Sequence, residues 1–162
     1  MAVEIDCVKI DKDEEDQVII GHSSFIKTIE DLYEALFSSV PGTLFGAAFS
    51  EASGDCLIRS EGSDESEIKK AENAAMKIGA GHTFVIFFKK AFPINLLNSI
   101  KALPEVSVVY CATGNPLQAI VARTEQGGAL LGIVDGLPPK GIEAENEKNA
   151  RKSFIRKIGY KL

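Results

Sequence analysis

The chain has 162 residues, of which 45% are hydrophobic, 25% charged and 7% aromatic, with no Trp. That is one domain's length, 1–162, enough to bury a core without staples, and the composition excludes disordered, collagen-like and coiled-coil chains. A formal net charge of −5 argues against a basic surface for nucleic acid.

The charge is unevenly placed. Residues 1–16 carry seven acids and two lysines, so the whole surplus lies there and the rest is neutral overall. From Lys148 onward six basic residues meet no acid. Cys7, Cys56 and Cys111 have no C-x-x-C spacing, which disfavours a disulfide framework or zinc site. The N-terminus lacks a basic and then apolar leader, and the longest apolar run, 84–88, is too short to span a membrane. The expectation is a cytoplasmic protein with neither membrane nor nucleic-acid partner.

In chain order, residues 2–10 and 17–20 read as strands joined by the acidic loop 11–16. Thr28, with Asp31 three positions later, reads as the N-cap of a helix whose apolar stripe is Ile29, Leu32, Tyr33, Leu36, Phe37 and Val40. Pro41-Gly42 stops it. Strands 44–49 and 56–60 flank the hairpin signal Ala52-Ser53-Gly54-Asp55. Asp64 caps a helix to Ile78 with Ile68, Ala71, Ala75 and Ile78 inward. Gly79 and Gly81 end that helix and lead into strand 82–89, an apolar run that reads as a central strand covered on both faces. Pro93 opens a third helix to about Leu103. Strands 106–112, 119–124 and 129–135 follow, and a last helix, 145–158, offers Ala150, Phe154 and Ile158 as its inner face. Helices interleaved with hairpin-like pairs predict an α/β (α+β mixed) domain, a mixed β-sheet with three to four packed helices.

The common nucleotide and hydrolase signatures are absent. There is no G-x-x-x-x-G-K-[ST] run, no G-x-G-x-x-G after Gly79-Ala80-Gly81, and no second glycine after Gly21-His22-Ser23-Ser24 to make a nucleophile elbow. The acidic loop lacks the central Gly of a calcium loop, and two histidines sixty residues apart make no His-rich metal site.

Five places combine polar groups with turn chemistry at the ends of apolar runs. Gly21 to Lys27 sits between a strand and a helix. It reads either as an anion cradle using Ser23, Ser24 and Lys27, with His22 as base or phosphoryl acceptor, or as a capping loop. Gly79-Ala80-Gly81-His82 reads as a ligand-approach turn or a helix C-cap. Asn95 and Asn98 share a helix face and would read a base edge or sugar hydroxyls, unless they are only its wet side. Thr113-Gly114-Asn115 reads as room for a flat ligand or as a hairpin turn. Glu51 and Asp135 each follow a strand, where a carboxylate binds ribose, holds Mg²⁺ or takes a hydroxyl proton, or simply makes a turn. The basic terminal run reads as a solvated helix face or as a partner for the acidic N-terminal segment.

The runs IIGHSSFIKTIEDLYEAL, VPGTLFGAAFSEASG, IGAGHTFVIF, FPINLLNSIK, CATGNPLQAIVA, LGIVDG and RKIGYK together resemble the adenosine-specific kinase family over nearly the whole chain. The resemblance implies a homo-oligomeric domain that binds adenosine and adenine nucleotides. It also implies phosphoryl transfer from ATP or another donor, with Mg²⁺ as a candidate, through a phosphorylated histidine. Within it His22, His82 and Glu51 are the catalytic candidates. Ser23, Ser24, Lys27, Gly79, Gly81, Asn95, Asn98, Thr113, Asn115 and Asp135 are the nucleoside and phosphate candidates, and no residue is assigned to metal. The family pattern Gly-Gln-x-His-Phe-Ile-Lys would put a His at the position of Ser24, and an Arg is expected where Gly127-Gly128-Ala129 stands. If both lie on one strand, His22 and Ser24 point to the same face and reach different places.

Overall fold

The elements, in order, are β1 (Glu4–Ile10), β2 (Gln17–Ser23), α1 (Thr28–Ser39), β3 (Leu44–Ser50), β4 (Ile58–Gly62), α2 (Glu65–Ile78), β5 (Thr83–Lys89), α3 (Pro93–Lys101), β6 (Val106–Thr113), β7 (Leu117–Arg123), β8 (Gly128–Asp135) and α4 (Glu145–Lys157). The computed structural model describes residues 2–162.

An uninterrupted apolar strand needs cover on both faces, and β5 has it. It is the middle strand of a five-stranded sheet of order β4-β3-β5-β2-β6. Ile19, Phe45, Phe49, Phe84, Ile86 and Phe88 fill one face, closed by Leu32 and Leu36 of α1 and Leu96 and Ile100 of α3. Val18, Ile20, Ala48, Val85 and Phe87 fill the other. That face is closed by Ala71, Ala75 and Ile78 of α2 and by Val8, Leu117, Ala119 and Val121 of a second sheet, β1-β7-β8. Phe45, Phe49, Phe84, Phe87 and Phe88 are at most 1% exposed. Each such burial is worth about 1.5–3 kcal/mol, so a one-residue slip of register, which would exchange the large side chains between two differently packed faces, is strongly opposed.

The domain is α+β, and every named strand ladder is antiparallel. The acidic loop 11–16 joins strands of different sheets rather than a pair, and so does Gly114-Asn115-Pro116 between β6 and β7. Neither is a hairpin turn.

Asp64 caps α2 as expected, accepting from the backbone N–H of Ser66 and Glu67 at 3.1 Å each. Thr28 does not cap α1. It is already helical, Lys27 holds the cap position, and the Thr28 hydroxyl donates to the Phe25 carbonyl at 2.6 Å. Gly79 is the left-handed C-cap of α2, with φ +56° and its N–H on the Ala75 carbonyl at 2.9 Å.

Part of the acidic loop's charge is paired within the chain. Lys70 Nζ lies 2.8 Å from Asp16 Oδ2, 3.1 Å from Glu67 Oε1 and 2.7 Å from Asp13 Oδ2. Lys89 Nζ lies 3.4 Å from both Asp16 Oδ1 and Glu67 Oε1. The Asp16 and Glu67 side chains are 0% and 1% exposed. The basic C-terminal run takes no part: among the described residues its ion pairs are Lys148–Glu145 and Arg151–Glu143, both local. Nor does α4 have the expected inner face. None of its residues is buried, and Phe154 and Ile158 are 59% and 46% exposed.

Candidate functional site

Because β2 and β3 both run antiparallel to β5, the C-terminal ends of β2 and β3 meet the N-terminal end of β5. Here the two histidines, sixty residues apart in sequence, come together. Their ring centroids are 5.8 Å apart with the rings nearly perpendicular. The His82 ring stacks on Phe49 at 5.9 Å. Its backbone, at φ +60°, is pinned on both sides: its N–H donates to the Ser50 carbonyl at 2.7 Å, and its carbonyl accepts from Ser23 N–H at 2.9 Å. A non-glycine residue in that region is strained, and such strain concentrates at functional sites.

His22 is oriented by Ser107 of β6. The Ser107 hydroxyl donates to the His22 carbonyl at 3.1 Å, and its oxygen lies 2.9 Å from His22 Nδ1. With its single proton so used, Ser107 accepts from Nδ1–H. This assigns the neutral ring the tautomer whose lone pair is on Nε2.

Glu51 follows β3. One carboxylate oxygen accepts from Ala52 N–H and the Ser53 hydroxyl, both at 3.0 Å, and the other lies 3.2 Å from Arg59 Nη2. Arg59 Nη1 also donates to the Ile26 carbonyl at 3.1 Å, so it ties Glu51 to the loop after β2. Beside Glu51 a cleft of about 600 Å³ is lined by Ser50, Glu51, Gly79, Gly81 and the turn Gly127-Gly128. A side chain at Gly81 would press on Ala52 at 2.9 Å, so glycine keeps that wall open.

A family model described as "Adenosine specific kinase" matches residues 8–161. The chain belongs to the adenosine-specific kinase family. A solved structure, the crystal structure of the PH1918 protein from Pyrococcus horikoshii OT3, is 46% identical, with a TM-score of 0.95 over 99% of each chain. No curated protein matches. Membership in the adenosine-specific kinase family carries kinase-type function and a nucleoside ligand at the level of the family.

Within this family member the remaining candidates separate by position. Ser23 is buried, its hydroxyl 2.7 Å from that of Thr28, so it braces the loop. Ser24 lies beyond the end of β2 and is exposed, so the same-face relation with His22 does not hold. Lys27 pairs with Asp31 and lies 3.4 Å from Glu105 Oε2, which raises its pKa, chiefly through the Asp31 hydrogen bond. Its ammonium is therefore already engaged.

Thr113, Asn115 and Asp135 sit at the other end of the sheet. Thr113 pairs with Val18, four residues from His22 along β2, roughly 13 Å at strand rise. There the Thr113 hydroxyl and Asn115 Nδ2 both donate to Asp135 Oδ1, at 2.8 and 3.0 Å. Asn95 accepts from Phe92 N–H at 2.9 Å at the start of α3, and Asn98 is exposed. Ser107, Arg59 and Phe49 were not legible as site residues. Each acts through a partner on a different element, and no local spacing marks such a relation.

Burial pushes the His22 pKa below its usual 6.5, and the nearby His82 adds to this. Between the lowered folded value and 6.5 the unfolded chain binds more protons, so stability falls as pH falls through that window. His22→Gln should flatten this part of the curve. The check is the urea midpoint between pH 7.5 and 5 for both proteins, and identical slopes would remove His22 as the cause.

Proposed function

We propose that this chain moves a phosphoryl group from ATP or a similar donor to adenosine through His22. What supports the reading is the Ser107 contact, which leaves His22 Nε2 with the free lone pair on a ring kept neutral near pH 7. Nε2 attacks the terminal phosphorus, the bond to the leaving nucleoside diphosphate oxygen breaks, and the diphosphate departs. An adenosine hydroxyl then attacks the phosphohistidine, its proton passes to His82 or Glu51, and Nε2 regains its lone pair. In this reading the nucleoside takes the cleft of about 600 Å³ beside Glu51, Gly79 and Gly81, the last of these next to His82 in the chain. Each step moves one phosphoryl group, and the second also moves one proton.

Glu51 and Asp135, the carboxylates considered for Mg²⁺, are not placed to share an ion. Both Glu51 oxygens are held by the chain's own donors, and Asp135 lies at the far end of the sheet. Among the described residues no group of three or more His, Cys, Asp or Glu is placed to hold a metal.

Incubation with adenosine and ATP labelled at the terminal phosphate tests this. Label should appear in a nucleotide product and, transiently, as an acid-labile addition on the protein. His22→Asn should abolish both the addition and the turnover, because the phosphoryl group then has no carrier. An addition that survives His22→Asn and vanishes with His82→Asn moves the acceptor to His82. Adenosine binding without transfer of label would make the chain a nucleotide sensor, the alternative that Ser24 and the engaged Lys27 favour.

A further inference from the structure

Among the described residues, five buried side-chain polar atoms have no hydrogen-bond partner: Thr43 Oγ1, Ser50 Oγ, Glu67 Oε2 and both Glu105 oxygens. Ser50, 8% exposed, is the one of these residues that lines the cleft beside Glu51. Its place on β3 explains how. Ala48 packs in the core on the α2 side of the sheet, and Ser50, two residues on, shares that face, opposite Ile58 of β4. The last turn of α2 ends there. Ser50, Ala75 and Ala80 form a buried floor, while Met76, Gln126 and Gly127 stand exposed at the rim. On that floor only the Ser50 side chain offers a donor or an acceptor. A hydroxyl kept out of water with no partner is unfavourable, and folded proteins retain few of them.

The charge of the cleft decides which end of a ligand enters it. No Lys, Arg or His lines it, and its one charged residue is Glu51. The two nearby guanidiniums are already engaged: Arg59 with Glu51 and the Ile26 carbonyl, and Arg123 with Asp6 and the Lys77 and Ile78 carbonyls that end α2. Such a lining disfavours a phosphate and suits an uncharged ring, flanked by Ile58, Met76 and Ala129. The rest of the ligand is then left toward the histidines. The Ser50 carbonyl accepts from His82 N–H at 2.7 Å, and Gly81 of the cleft wall directly precedes His82.

We infer that Ser50 recognises the base of the nucleoside, its hydroxyl donating to a ring nitrogen of a purine seated on this floor. The inference takes from the proposed function only that the cleft holds a nucleoside, and it is indifferent to which histidine carries phosphate. Within the chain the hydroxyl proton has no acceptor, and a purine ring nitrogen supplies one. The staggered χ1 positions of serine let the hydroxyl turn to the ring without moving β3. The apolar walls bind the ring by area, and the single hydroxyl fixes its orientation.

Calorimetry with adenosine and its 1-deaza, 3-deaza and 7-deaza analogues, on the wild type and Ser50→Ala, tests this. Ser50→Ala keeps the carbonyl that holds His82 and removes a hydroxyl with no partner. Without nucleoside it should therefore unfold in urea at the wild-type midpoint or above it. Its adenosine affinity should fall about tenfold. One deaza analogue should bind the wild type about tenfold more weakly than adenosine, yet bind Ser50→Ala as tightly as adenosine does, which names the ring nitrogen. Equal adenosine affinity in the two proteins overturns the inference, and so does a loss for every analogue that persists in Ser50→Ala. A urea midpoint well below the wild type's also overturns it, because it reveals a partner within the chain. The expected affinity pattern in a chain that transfers no label upholds Ser50 and removes the transferase reading. A wild type that binds no adenosine overturns both.

Discussion

Replacing Lys70 with alanine is expected to cost about 3 kcal/mol, the lower end for removing one partner of a buried ion cluster. The Asp16 and Glu67 carboxylates are almost wholly out of water, and Glu67 Oε2 has no hydrogen-bond partner even now. Lys89, 3.4 Å from both, remains and keeps the loss from being larger. Burial acts to lower the Lys70 pKa, but the hydrogen bonds it donates to Asp13, Asp16 and Glu67 outweigh it and hold the ammonium above its ordinary range. A raised folded pKa stabilises fully below the unfolded value of 10.5 and is lost only as pH rises through the folded value, so the whole contribution is present at neutral pH. Lys70→Met keeps the aliphatic stem and should lose nearly as much as alanine, which separates charge from packing. Urea unfolding at pH 7 reads this out, and a Lys70→Met variant as stable as wild type would sink the idea.

Gly46→Ala should be the most damaging single methyl group in the chain. Gly46 of β3 faces Gly62 of β4, and the first turn of α2 lies directly on the pair. A Cβ at position 46 would stand 2.1 Å from Ile68 N and 2.3 Å from Glu67 C. Both are backbone atoms, so α2 must move rather than a side chain turn aside. Overpacking typically costs about 1–3 kcal/mol, and this site belongs at the upper end or beyond. Moving that turn also draws Glu67 away from Lys70, so Gly46→Ala and Lys70→Met should be non-additive by more than about 0.5 kcal/mol in a double-mutant cycle. Gly127→Ala, where a Cβ meets nothing within 4 Å, is the control. Equal denaturation midpoints for Gly46→Ala and Gly127→Ala would show that α2 yields freely.

Local patterns carried much of the architecture. The Phe84–Phe88 run announced a central strand, Asp64 and Gly79 marked both ends of α2, and the combined strings pointed to the family that the chain belongs to. These signals were readable because they rest on contacts within a few residues: a cap, a stop, a period of two or 3.6. The α4 stripe shows their limit, since spacing reveals that a face is apolar without saying what covers it. Pairings across the chain were invisible for the same reason. The approach of His22 to His82, the Ser107 contact that assigns the ring tautomer, and the collapse of the acidic loop onto Lys70 and Lys89 depend on which strands lie side by side. Strand order also divided the site candidates. It gathered His22, His82 and Glu51 at one end of the sheet and left Thr113, Asn115 and Asp135 at the other. The opening charge count thus takes on a specific meaning: two of the acidic loop's carboxylates, Asp13 and Asp16, are taken up by the half-buried Lys70 and Lys89. Composition alone cannot show that, because it counts charges without their partners.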